Sequence, residues 1–231
     1  MGLPQIILVP GLLNDAELWR DQLEGLRGAA RPVVADITKG ETLRELAQAV
    51  LDIGEERFAL AGFSLGGIVA QEVMRIAPER ISHLALLDTT MLPDDAARMQ
   101  ERQRIIALAE VPGSFLGLGE RLLRSYFAEQ HLENHEMIER VREMTRRLGP
   151  EVLIRQSRID RPDGRADLVR ITCPTLVLCG REDVITPPSL HLALASSIPG
   201  AWLKILPESG HLTPIEQPEA VTEELIRLLK H

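Results

Sequence analysis

The chain has 231 residues, with 26 Lys and Arg against 34 Asp and Glu, a formal net charge of −8, and 45% hydrophobic residues. This is the composition of a globular domain with a filled core, and the charge argues against a general nucleic-acid or anionic-membrane partner, which would repel it at long range. Cys173 and Cys179 are too few for a disulfide framework and their C-x5-C spacing fits no zinc pattern. No basic, apolar and small-residue leader is recognisable, and Leu3 to Leu13 is too short to span a bilayer, so the expectation is a cytoplasmic protein with no metal and no cofactor.

In chain order, Gln5 to Val9 is a continuous apolar strand closed by a Pro10-Gly11 turn. Asp15 starts a predicted helix to about Leu26, with Leu18, Gln22, Leu23 and Leu26 along one stripe. Pro32 to Ile37 is the second predicted strand, and Thr42 to Ile53 the second helix, with Leu43, Leu46, Ala47 and Val50 turned inward. Phe58 to Phe63 is a short apolar run, followed by Ile68, Val69, Val73 and Ile76 at helical spacing until Pro78. Between that strand and that helix lies Gly62-Phe63-Ser64-Leu65-Gly66-Gly67, the pattern G-x-S-x-G. A serine on so tight a strand-to-helix turn needs small neighbours, and the helix that follows aims its unpaired amides at the serine. Ile81 to Asp88 is a fourth strand, apolar without interruption from Leu84 to Leu87, as suits a strand covered on both faces.

The alternation then stops. Residues 91–170 show no convincing strand and four predicted helices, near Asp94–Glu110, Ser114–Gln130, Glu133–Leu148 and Pro150–Ile159. A helical block inserted there would fold over the carboxyl edge of the sheet, where open α/β sheets place their ligands. Strand signals return at Thr175 to Cys179 and at Ala201 to Leu206, with helices opened by Pro187-Pro188 and by Pro218. The expected architecture is α/β, a doubly wound parallel sheet of about six strands, with residues 1–90 and 171–231 as the core and 91–170 as a helical cap after the fourth strand.

The elbow and the segment Pro10-Gly11-Leu12-Leu13-Asn14-Asp15-Ala16-Glu17-Leu18-Trp19 resemble the α/β-hydrolases, in particular small bacterial carboxylesterases of the type that cleaves a pimeloyl-acyl-carrier-protein methyl ester. The resemblance runs from the first strand to the last helix. It implies that Ser64 is a nucleophile and that His211, in Ser209-Gly210-His211-Leu212-Thr213-Pro214 after the last strand, is its base. Glu216, Pro218 and Val221 continue the same pattern. A carboxylate must orient that base. Asp183, in Gly180-Arg181-Glu182-Asp183, matches the usual acid loop, while Asp88, at the end of the fourth strand, is the alternative position. The backbone amides of Leu12 and Leu65 align with the donors of an oxyanion hole, although the usual His-Gly of that loop is Pro10-Gly11 here.

Leu13, Phe63, Phe115, Leu116 and Phe127, with Leu12, are candidates to line an acyl pocket. Residues 140–170 hold nine arginines and five acidic residues, so an anionic substrate or an acyl carrier could dock near Arg142, Arg146, Arg155 and Arg158; solvated helix faces are the plainer account. The expected activity is a serine carboxylesterase acting on a small or medium ester through an acyl-enzyme. Enol-lactone hydrolysis, carbon–carbon hydrolysis and perhydrolysis use the same machinery, and a ligand-binding scaffold with little turnover is the alternative of another class.

Overall fold

The computed structural model describes residues 2–113 and 115–231. Its elements are β1 (Gln5–Val9), α1 (Arg20–Gly25), β2 (Arg31–Val34), α2 (Leu43–Ile53), β3 (Phe58–Phe63), α3 (Leu65–Ile76) and β4 (Ile81–Leu87). Then come α4 (Ala96–Ala109), α5 (Glu120–Arg124), α6 (His135–Arg158) and α7 (Arg165–Leu168). The chain closes with β5 (Thr175–Gly180), α8 (Pro188–Ser197), β6 (Trp202–Leu206), α9 (Thr213–Glu216) and α10 (Pro218–Leu228). The six strands form one parallel sheet in the order β2-β1-β3-β4-β5-β6.

Side chains that alternate along each strand feed two separate cores. Ile6, Leu8, Ala61, Leu87 and Leu178 face Trp19, Val221, Leu225 and Leu228 on one side. Ile7, Leu60, Leu86 and Val177 face Leu46, Val50, Val69, Val73 and Leu194 on the other. Burial on both faces is why these strands read as unbroken apolar runs. The first core continues into the helices between β4 and β5 through Leu123, Phe127, Ile138, Val141, Met144 and Leu153. Those helices therefore share the sheet's own apolar interior. Among the described residues, no helix is long and apolar enough to cross a membrane.

Several element boundaries differ from the sequence expectation. The helix expected from Asp15 opens as a 3-10 turn, Ala16–Trp19, before α1. The Glu17 carbonyl accepts from Arg140 at 2.6 Å, a bond that competes with regular helical pairing there. The second strand stops at Val34, because beyond it the Asp36 carboxylate takes the Thr38 amide into a local turn. The helix expected over Ser114–Gln130 begins at a residue outside the described ones, and only α5 and a 3-10 turn at Glu129–His131 form within it. Gly117 lies there at φ 95°, a conformation incompatible with a helix. The two helices expected on either side of Gly149-Pro150 run on as α6, with non-helical backbone at Gly149.

Candidate active site

The strand order reverses between β1 and β3, since β1 connects to β2 on one side and the chain then crosses to β3 on the other. A crevice opens at such a point beyond the carboxyl ends of the strands. Ser64 stands there, directly after β3, at φ 51° and ψ −114°. This is strained backbone for a serine, and such strain persists only where surrounding contacts enforce it. The Ser64 amide donates to the Leu87 carbonyl at 2.9 Å, and its carbonyl accepts from the Thr89 hydroxyl at 2.7 Å. The glycines make room. A Cβ at Gly62 would lie 2.2 Å from the Gly66 carbonyl oxygen, and one at Gly66 would lie 2.3 Å from that of Val9.

His211 follows β6, and its Nε2 lies 3.1 Å from Ser64 Oγ. Its Nδ1 lies 2.8 Å from Asp183 Oδ2, in the loop after β5. With Nδ1 protonated toward the carboxylate, Nε2 is left to accept the serine proton. Phe63 and Tyr126 flank the imidazole at centroid distances of 5.2 and 5.4 Å. The His211 amide donates to the Tyr126 carbonyl at 2.8 Å. Below that loop, Glu216 is buried and accepts from the amides of Gly210, Leu212 and Ala128, and it also meets His131 Nδ1 at 2.9 Å. One carboxylate thus clamps the histidine loop to the segment leading out of α5.

The two candidate acids sit in different surroundings. Asp183 Oδ1 accepts from the amides of Ile185 and Thr186, and Oδ2 accepts from the Thr186 hydroxyl at 2.6 Å. Burial alone would raise its pKa, but His211 and the Thr186 hydrogen bonds outweigh it and hold the carboxyl below the usual range. Asp88 is fully buried and makes no hydrogen bond to His211; it accepts from the Gly180 amide at 3.1 Å and from the Thr213 hydroxyl. Burial, with the nearby charge of Asp183, pushes the Asp88 carboxyl well above the ordinary carboxylate range. Asp88 braces the strand of one loop against the helix after the other.

Behind these loops His191, on α8, is buried, with Nε2 accepting from the Thr89 amide at 2.9 Å and Nδ1 facing the Pro187 carbonyl at 3.3 Å. Burial lowers its pKa to about 4. The unfolded chain therefore takes up a proton that the folded one refuses. His191 contributes stability that is complete above about pH 6.5 and is lost as the pH falls from there toward 4. Between pH 7 and pH 5 the loss is about 2 kcal/mol. In His191→Gln, which keeps an acceptor but cannot titrate, Tm should fall less over this interval than in the wild type. Parallel melting curves for the two proteins would refute this origin of acid sensitivity.

A cavity of about 350 Å3 adjoins Ser64 and His211 and is lined by Leu12, Leu65, Ile68 and Tyr126 among others. Leu65 opens α3, so its amide has no intrahelical partner. Of the candidate acyl-pocket residues besides Leu12, Leu13, Phe63 and Phe127 are packed into the core instead, because the apolar interior between sheet and helices absorbs them. The Leu13 amide is held by Gln156 of α6 at 2.7 Å. Phe115 lines a neighbouring cavity of about 710 Å3 that shares Ile105, Leu122 and Leu153 with the first, and Leu116 is exposed.

The four arginines considered for an anion do not line the Ser64 cavity. Arg142 pairs with Glu120 and Glu139, Arg146 with Glu143 at 3.8 Å and Arg158 with Glu110, while Arg155 donates to the Thr38 carbonyl. Arg142 and Arg158 are thus met by acids outside residues 140–170, which a local count along the sequence overlooks. Arg98, Arg102 and Arg161 line the cavity in their place. No periodicity marked these, nor Thr186 and Tyr126, because their roles come from loops that meet only in the fold.

The profile of the alpha/beta hydrolase family matches residues 6–224. The chain belongs to this family. It is an α/β-hydrolase enzyme. An esterase from Thermogutta terrifontis, solved with malate bound, is 30% identical and superposes with a TM-score of 0.86 over 100% of this chain and 90% of that one. A hydrolase from Pseudomonas aeruginosa PA01 is 30% identical with a TM-score of 0.85, over 99% of this chain and 91% of its own. The dihydrolipoyllysine-residue acetyltransferase component of the acetoin cleaving system of Pseudomonas putida is 29% identical over 97% of this α/β-hydrolase, which spans 63% of that protein's length.

Proposed function

We propose that this α/β-hydrolase is a carboxylic ester hydrolase that works through an acyl-enzyme on Ser64. The observation that carries the reading is the chain of contacts Ser64 Oγ to His211 Nε2 at 3.1 Å and His211 Nδ1 to Asp183 Oδ2 at 2.8 Å, open to a cavity. In this reading His211 takes the serine proton as Oγ attacks the ester carbonyl, and Asp183 stabilises the imidazolium that forms. The amides of Leu12 and Leu65 receive the developing oxyanion. His211 then protonates the leaving alkoxide, and water, activated by the same imidazole, releases the acid. The cavity lies at the small end of ligand pockets, which run from about 300 to 1,000 Å3. It suits a small or medium ester better than a long acyl chain.

A fluorophosphonate probe tests this reading directly, because only a serine activated by its base reacts well. Labelling should be rapid, stoichiometric and located on Ser64. It should be accompanied by hydrolysis of p-nitrophenyl acetate or butyrate in preference to longer acyl chains. A folded protein that resists the probe and turns over none of a panel of esters and lactones would point to a ligand-binding scaffold instead.

A further inference from the structure

The cavity at Ser64 has a cationic wall: Arg98 and Arg102 on α4, and Arg161 shortly after α6. Their charges are not equally compensated. Arg102 makes two hydrogen bonds to Asp94, one of them at 3.0 Å. Glu101, the other acid on the wall, faces Arg104 at 3.4 Å. Among the described residues, neither Arg98 nor Arg161 has a carboxylate at ion-pair distance; both are held by backbone carbonyls alone. Arg98 donates to Ile185, in the loop that carries Asp183, at 2.9 Å. Arg161 donates to Ile159 at 2.5 Å and to Gln156 at 3.3 Å.

Arg161 is 6% exposed. A guanidinium so far out of water, hydrogen-bonded to carbonyls, has lost hydration without gaining an ion pair; Asp94 and Asp160 favour its charge only from beyond ion-pair distance. Burial first, and then the charge of Arg102, bring its pKa down to about 10, so it remains a cation at neutral pH. Its planar group has five N–H donors in a fork that suits a carboxylate, and the two carbonyls leave part of that fork for a ligand. Capping of the carboxyl end of α6 accounts for the two carbonyl contacts. It does not account for a second unpaired guanidinium on the same wall.

We propose that Arg161, assisted by Arg98, binds a free carboxylate on the substrate, so that the enzyme prefers short esters bearing a second, ionised carboxyl group, such as half-esters of dicarboxylic acids. The proposal rests on Ser64 as the nucleophile and adds a second anchor, which would fix the ester carbonyl against the serine. It places the anion inside the catalytic cavity, not on the outer face of the helices near Arg142 and Arg146.

The test compares kcat/KM for monomethyl glutarate with that for methyl butyrate. The wild type should favour the charged ester, and Arg161→Gln should reduce that preference about 10- to 100-fold, the range of a lost charge-assisted hydrogen bond. Arg98→Gln should reduce it less. Arg161→Lys, which keeps the charge but not the fork, should restore part of it. A wild type that favours the neutral ester, or a ratio unmoved by both glutamine variants, overturns the proposal.

If Arg161→Gln does not fold, Arg98→Gln decides, and an unchanged ratio in it counts against the proposal. Calorimetry on Ser64→Ala separates this idea from the hydrolase reading. Binding of monomethyl glutarate but not of methyl butyrate would support the anion site even if the wild type hydrolysed neither. Equal or absent binding of both would sink it even if the wild type proved a good esterase.

Discussion

Ser64→Ala should abolish ester hydrolysis while leaving the fold intact, with a loss on the order of 10⁶ in kcat, as for removal of the nucleophile in other triads. The structure isolates the hydroxyl from the scaffold. Ser64 is held by its own amide and carbonyl, through Leu87 and Thr89, and among the described residues its Oγ hydrogen-bonds to His211 alone. Alanine keeps both backbone bonds and the same Cβ, so the elbow should survive. The decisive measurement is kcat on p-nitrophenyl butyrate, with circular dichroism and Tm recorded on the same preparations. Wild-type turnover by a folded variant would end the case for a serine mechanism.

Asp183→Asn is expected to have the second largest effect, a loss approaching 10⁴-fold in kcat. The hydrogen-bond pattern says why. Asp183 Oδ1 accepts from two amides, those of Ile185 and Thr186, and only an oxygen can occupy that place. In the variant the side-chain NH₂ must therefore take the place of Oδ2, facing Thr186 and His211 Nδ1. A donor there obliges Nδ1 to accept, moves the imidazole proton to Nε2, and leaves nothing to take the proton of Ser64. Asp88→Asn should cost at most about tenfold, since Asp88 touches Gly180 and Thr213 and not the base. A larger loss from Asp88→Asn than from Asp183→Asn would transfer the acid's role to β4.

Much of this was readable along the chain because it depends on neighbours in sequence. The strands covered on both faces betray themselves as apolar runs: those at Gln5–Val9 and Phe58–Phe63 form with the same limits, and the one expected over Ile81–Asp88 ends a residue earlier, at Leu87. The elbow is equally local, since the clash that excludes a side chain at Gly62 comes from Gly66 four residues on. The loops around Gly117 were harder to read. A positive φ there breaks the helical pattern that the flanking residues suggest.

The sequence by itself determined the alternation of strands and helices, the serine on its strained turn, and an aspartate and a histidine after later strands. Each of these is written in spacing or in short-range sterics. Only the tertiary structure separates the surroundings of Asp88 and Asp183. Both leave the same sheet edge, and the difference lies in which carboxylate faces an imidazole from 28 residues further along the chain. The tertiary structure also decided which arginines are compensated. Arg142 finds Glu120, and Arg147 finds Asp15 more than a hundred residues away, whereas Arg161 is enclosed beside the cavity at Ser64 with no carboxylate at ion-pair distance among the described residues. Charge neutralisation acts over a few ångströms in space, and at that range a count along the chain carries no information.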